Sequence, residues 1–156
     1  EGERFLRRIE AIRDRVPEAA FRSSFIVGYP GETEDDHDVL LDFVERARLD
    51  WGGFFAYSPE EGTYAAGLDG EVDAGVVSDR LAELRELQDG ITAAARDDLI
   101  GTVVEVLVDA PGVARSHREA PEIDGVVAVP ADLPVGSLVK VRITGAAGPD
   151  LDAVPA

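Results

Sequence analysis

Apolar residues recur every three or four positions at Phe5, Ile9, Ile12 and Val16, with arginines and acids between them, so an amphipathic helix is predicted over about 4–16, stopped by Pro17. The period then changes. Phe25, Ile26 and Val27 form a continuous apolar run inside Ala20 to Gly28, the pattern of a strand covered on both faces in a parallel sheet. Leu40, Phe43, Val44 and Ala47 make one stripe of a second helix. Its start is marked by Thr33 as N-cap, with Asp36 three residues on in an imperfect capping box, and by Glu34, Asp35 and Asp36 against the positive end of the helix dipole. Trp51 to Tyr57 is another short apolar strand. Helix, strand, helix and strand joined by short links predict βαβ units of a parallel sheet or barrel.

A Gly- and Asp-rich stretch over 67–75 interrupts this order. Val77, Leu81, Leu84, Leu87 and Ile91 then mark a long helix reaching toward Leu99; Gly90 weakens its middle by roughly 1 kcal/mol relative to alanine, and Gly101 closes it as a C-cap. From Thr102 the texture changes to short alternating strands. Val104, Val106 and Val108 share one face, and Val139, Val141 and Ile143 share another, opposite Lys140 and Arg142. With Val126 to Val129 and Leu151 to Val154 as further strands, residues of about 100–156 are predicted as a small antiparallel β-barrel. The fold class is therefore α/β followed by all-β.

Composition narrows the function. At 156 residues the chain is one domain or two small ones, and no apolar run approaches the ~20 residues of a membrane span, so no membrane partner is expected. No basic, apolar leader opens it, so a cytoplasmic location is expected. It has no cysteine, which excludes disulfides, thiolate catalysis and cysteine-held zinc or iron–sulfur clusters within these residues; with only His37 and His117, a histidine metal site is not expected either. The absence of methionine, position 1 included, and the charged, helical start suggest a piece of a longer protein. The net charge of −17 argues against binding nucleic acid by phosphate neutralisation and favours a basic partner, unless it serves solubility alone.

Three stretches could carry chemistry. In Phe25 to Thr33 the apolar strand runs into Gly28-Tyr29-Pro30-Gly31-Glu32. There, glycines remove side chains where a ligand or another backbone must come close, and the loop lies at a strand's carboxyl end, where α/β proteins build sites. Tyr57-Ser58-Pro59-Glu60-Glu61-Gly62-Thr63 ends the next strand, beside the first. A hydrolase pair of Glu60 and Glu61 is disfavoured because adjacent residues seldom address the same bond. Arg115 to Gly125, including Glu119-Ala120-Pro121-Glu122-Ile123-Asp124-Gly125, is a polar loop within the barrel whose charges have no evident structural purpose.

These motifs in this order, followed by a Leu-Gln helix and a valine-rich small barrel, resemble the C-terminal part of the radical S-adenosylmethionine methylthiotransferases, from about Phe5 to Ala153. The resemblance implies that residues 1–75 are the last βα units of a partial (β/α) radical barrel, that 76–98 form a linking helix, and that 99–156 are a five-stranded, antiparallel, OB-like TRAM domain that recognises the substrate. It further implies S-adenosylmethionine contacts at Ile26, Gly28, Tyr57 and Ser58, with Glu32 bracing the turn. Glu119 to Gly125 resembles the RimO branch, which methylthiolates an aspartate of a small-subunit ribosomal protein, rather than the MiaB branch, which modifies tRNA adenosine. A stand-alone TRAM-type binding module is the reading from another class.

In that branch Arg115, Arg118, Glu119, Glu122 and Asp124 would meet the substrate protein. Residues 99–156 hold four basic and eight acidic side chains, net −4, which suits a basic ribosomal protein and disfavours tRNA. The family uses S-adenosylmethionine and 4Fe–4S clusters in the intact enzyme. Its cluster-binding cysteines are absent here, so this polypeptide alone is expected to be inactive and to bind the cofactor weakly.

Overall fold

The computed structural model describes residues 2–156, which form two compact units, 2–88 and 89–156, divided within a helix. The first unit holds α1 (Gly2–Arg15), β1 (Arg22–Val27), α2 (Glu34–Ala47), β2 (Trp51–Ala56), a short 3-10 turn (Ala65–Gly67) and the first part of α3 (Ala74–Asp97). β1 and β2 pair in parallel with Phe25 opposite Phe54 and Ile26 opposite Phe55. Phe25 stacks on Phe54 at 5.3 Å and meets the edge of Phe43 at 6.0 Å, which joins the strands to α2.

Two details of this unit differ from the pattern in the sequence. The buried side of α1 is set by Leu6, packed with Ala47, Leu49 and the partly buried Ile9 and Phe43, whereas Phe5, Ile12 and Val16 are exposed. Arg13, on the docked side, donates to the carbonyls of Ala47 (2.9 Å) and Arg48 (2.7 Å), supplying donors that the end of α2 lacks. The sheet is also covered on one face only. Val27 is fully buried, but Ile26 and its neighbour Phe55 are 61% and 57% exposed.

α3 is less oily than its leucines suggest. Its buried positions include Leu81, Leu84 and Ile91, and also Arg80, Gln88, Thr92 and Arg96. Each half carries its own polar ties; Gln88 donates to the Leu49 carbonyl at 2.9 Å. Among the described residues no helix is long and apolar enough to cross a membrane.

The second unit is a closed barrel of β3 (Val103–Ala110), β4 (Val113–Arg115), β5 (Val127–Ala128), β6 (Leu138–Ala147) and β7 (Asp150–Pro155), in the order β3-β4-β5-β7-β6. Four ladders are antiparallel, but β5 pairs with β7 in parallel, so the expected all-antiparallel barrel is in fact mixed. Alternation fills its interior with Val106, Val108, Val127, Val141, Ile143 and Leu151. Register shifts at Val108/Ala110 and Ile143/Gly145 add the bends that closure requires.

The capping box at α2 is complete: the Thr33 hydroxyl accepts from the Asp36 amide, and the Asp36 carboxylate accepts from the Thr33 amide. Those Thr33 bonds hold the Asp36 carboxyl below its ordinary value of 3.8. Because the folded value lies below the unfolded one, this support for α2 is complete above the ordinary value and is lost as pH falls through the lowered one. An NMR titration should find the Asp36 midpoint below 3.8, and Thr33→Ala should raise it; no upward movement would show that the box does not persist in solution.

Candidate functional site

The parallel register brings the ends of β1 and β2 side by side, and a cavity of about 480 Å³ opens there. Gly28 and Pro30 line it from the turn after β1, and Tyr57 and Pro59 from the chain after β2. The segment after the 3-10 turn folds back over it through Leu68 and Val72, and α3 closes it with Val77 and Leu81. Most of its lining residues are apolar, with Glu71 and Ser78 among the polar ones.

The turn at the rim is fixed from two sides. Glu32 accepts from the Gly28 amide at 3.0 Å with one carboxylate oxygen and from Arg80 at 2.7 Å with the other. Arg80 is itself buried and also donates to Glu34 at 2.9 Å. That bond to Glu34, helped by Glu32, raises the Arg80 pKa against the opposing effect of burial. On the other side the Gly31 amide donates to the Gly70 carbonyl at 2.7 Å, pinning the 67–75 segment to the turn. Gly28 has no substitute here: its φ is +81°, and a Cβ would sit 2.5 Å from a methyl of Val77.

Two of the four expected cofactor residues, Gly28 and Tyr57, lie on the cavity wall. Tyr57 packs against the edge of Tyr29 at 5.5 Å, and its buried hydroxyl has no hydrogen-bond partner among the described residues. Ile26 lies on the open face of the sheet and Ser58 is exposed; neither lines the cavity. Glu60 and Glu61 are exposed. The parts missed in the sequence are the cover over 65–72 and the wall given by α3. Leu68 and Val72, apolar within a polar stretch, were the available signal.

In the barrel unit the 115–125 loop sorts its charges into two groups. Glu119 is buried: one oxygen pairs with Arg96 at 2.6 Å and the other accepts from the Ser116 amide and hydroxyl, both at 2.6 Å. Asp124 accepts from the Ala120 amide at 2.7 Å. These two expected recognition residues therefore build the loop, because an irregular backbone needs acceptors that no ladder supplies. Arg115, 3.5 Å from Asp109, and Arg118 are half-buried, while Glu122 is exposed.

Residues 100–155 match the TRAM domain family. Across nearly its whole length the chain is also similar to curated proteins named ribosomal protein uS12 methylthiotransferase RimO. It is 51% identical to that of Moorella thermoacetica over 89% of this chain and 32% of the relative, and 48% identical to that of Cutibacterium acnes over 100% and 34%. For Thermus thermophilus the identity is 47% over 99% and 37%. The chain thus spans about a third of the length of the relatives it matches.

Gly28→Ala should destabilise the first unit by about 2–4 kcal/mol, combining left-handed strain with the Val77 clash. Urea unfolding followed by the fluorescence of Trp51, the one tryptophan, measures this. Adding Val77→Ala should recover the steric part alone; full recovery would mean that the positive φ carries no strain.

Proposed function

We propose that, over the stretch it shares with them, this chain belongs with the RimO-type ribosomal-protein methylthiotransferases, and that it supplies part of the S-adenosylmethionine pocket and the substrate-recognition domain of an enzyme that methylthiolates the β-carbon of an aspartate in ribosomal protein uS12. The observation that carries this reading is the braced cavity at two adjacent parallel strand ends, with Gly28 and Tyr57 on its wall. Its volume of about 480 Å³ suits a nucleoside-sized ligand. Gly28, whose missing side chain makes room for Val77, lines the cavity with backbone, and the Tyr57 hydroxyl, without a partner among the described residues, offers a hydrogen bond. Ile26 and Phe55, on the open face of the sheet, fit the inner wall of a barrel continued by other strands, and residues 1–75 are then its last βα units.

The cofactor, when bound, supplies hydrogen abstraction and the methyl group; the residues here bind and orient it. A 4Fe–4S cluster does not fit these residues, since the chain holds no cysteine, and the polypeptide alone is accordingly inactive. The TRAM unit, net −4 over 99–156, is matched to a basic protein and unsuited to tRNA, whose binding needs clustered cations. A ribosomal substrate places the enzyme in the cytoplasm.

A chimera tests the catalytic assignment. Joined to the preceding two thirds of the Moorella relative, this chain should restore methylthiolation of the uS12 aspartate, read by peptide mass spectrometry, while the chain alone should give none. An inactive but folded chimera would overturn the assignment. Tight, salt-sensitive binding of tRNA by the chain would instead favour the tRNA-modifying branch.

A further inference from the structure

Resting on that reading of the TRAM unit, we propose that the loop over 116–125 is a preformed docking edge for a basic segment of the substrate protein. Its contact side chains are Glu122 and Ile123, and the buried Glu119–Arg96 pair acts as the positioning device that holds it ready. Four observations converge on this division of labour.

First, the loop is ordered from within. Glu119 takes the Ser116 amide and hydroxyl and the Arg96 guanidinium, the Ser116 hydroxyl accepts from the Arg118 amide at 3.2 Å, and Asp124 takes the Ala120 amide. Second, its far end is clamped to the β6–β7 turn. The Val126 amide donates to Asp150 at 2.9 Å, and a Cβ on Gly125 would overlap the Pro149 carbonyl. A buried ion pair is seldom the cheapest route to stability, and its best-attested use is to select one conformation.

Third, Glu122 stands at φ +64°, a left-handed conformation unfavourable for a residue with a side chain. Such an outlier persists only where its surroundings impose it, and it lies at the tip that the ordered bonds surround. Fourth, what the loop presents at this tip is an exposed carboxylate beside an isoleucine 73% exposed, within residues 99–156 of net −4. Acid beside an apolar anchor fits a lysine- or arginine-bearing segment with an apolar residue next to it.

The test uses this chain, recombinant uS12 as probe, titration calorimetry, and hydrogen exchange at the loop amides. Ile123→Ser and Glu122→Gly should each weaken uS12 binding about tenfold with the melting temperature unchanged; glycine in fact suits the left-handed position. Glu119→Gln and Arg96→Met should weaken binding comparably and also speed exchange at the Ser116 and Ala120 amides. If the parent chain binds uS12 and the two tip variants bind equally well, the docking edge is overturned while the methylthiotransferase reading stands. If the pair variants lose affinity with no change in loop exchange, the positioning role fails. No binding by the parent chain overturns the edge together with the recognition part of the broader reading, whereas the chimera assay judges the catalytic part separately.

Discussion

The candidate site depends on one carboxylate. Glu32 answers the amide of Gly28 with one oxygen and the guanidinium of Arg80 with the other, and so fixes the end of β1 to α3 at the rim of the cavity. The turn after a strand has amides that no ladder can satisfy, and an unsatisfied buried amide costs on the order of 1–3 kcal/mol. Meeting that need with a charge brings the burial of Arg80 with it. The guanidinium in turn bonds Glu34, and so the first acid of α2 is held down by Arg80 while the bonds of Thr33 hold down the third.

Much of this architecture is legible in residue spacing. The helix periods, the apolar strand runs, the Thr33–Asp36 cap and the valine alternation in β3 and β6 are local patterns, and local physics decides them. What spacing does not reveal is which side of an element meets a partner. α1 offers Phe5, Ile9, Ile12 and Val16 as a stripe, yet Leu6 is the residue it buries, because the position of Arg13 over the end of α2 and its packing over Phe21 at 5.0 Å set the rotation. Phe25 to Val27 reads as a doubly covered strand, yet one face of the two-stranded sheet is open. The parallel β5–β7 ladder escapes a local reading too, since two residues of β5 carry too little pattern to show their direction.

The site was legible to a similar depth and failed for a related reason. Gly28 stands out from turn chemistry and Tyr57 only through the family resemblance; the cover through Leu68 and Val72 and the wall from Val77 depend on how a long segment folds back. A hydrogen bond from Gly31 to Gly70 across that distance is a tertiary event. α3, read as a connector, is in its first turns part of the cavity.

The two units reach the same solution independently. In each, a carboxylate gathers a local amide and an arginine from α3: Glu32 takes the Gly28 amide and Arg80, and Glu119 takes the Ser116 amide and hydroxyl and Arg96. A chain with 32 acids conceals these two well, because charge counting treats every carboxylate as surface. Burial separates them. Glu119 is buried, so the excess of acids on the barrel unit overstates what its surface presents. On the proposed docking edge, an exposed carboxylate beside an exposed apolar side chain, rather than the total charge, would set where a basic segment is held.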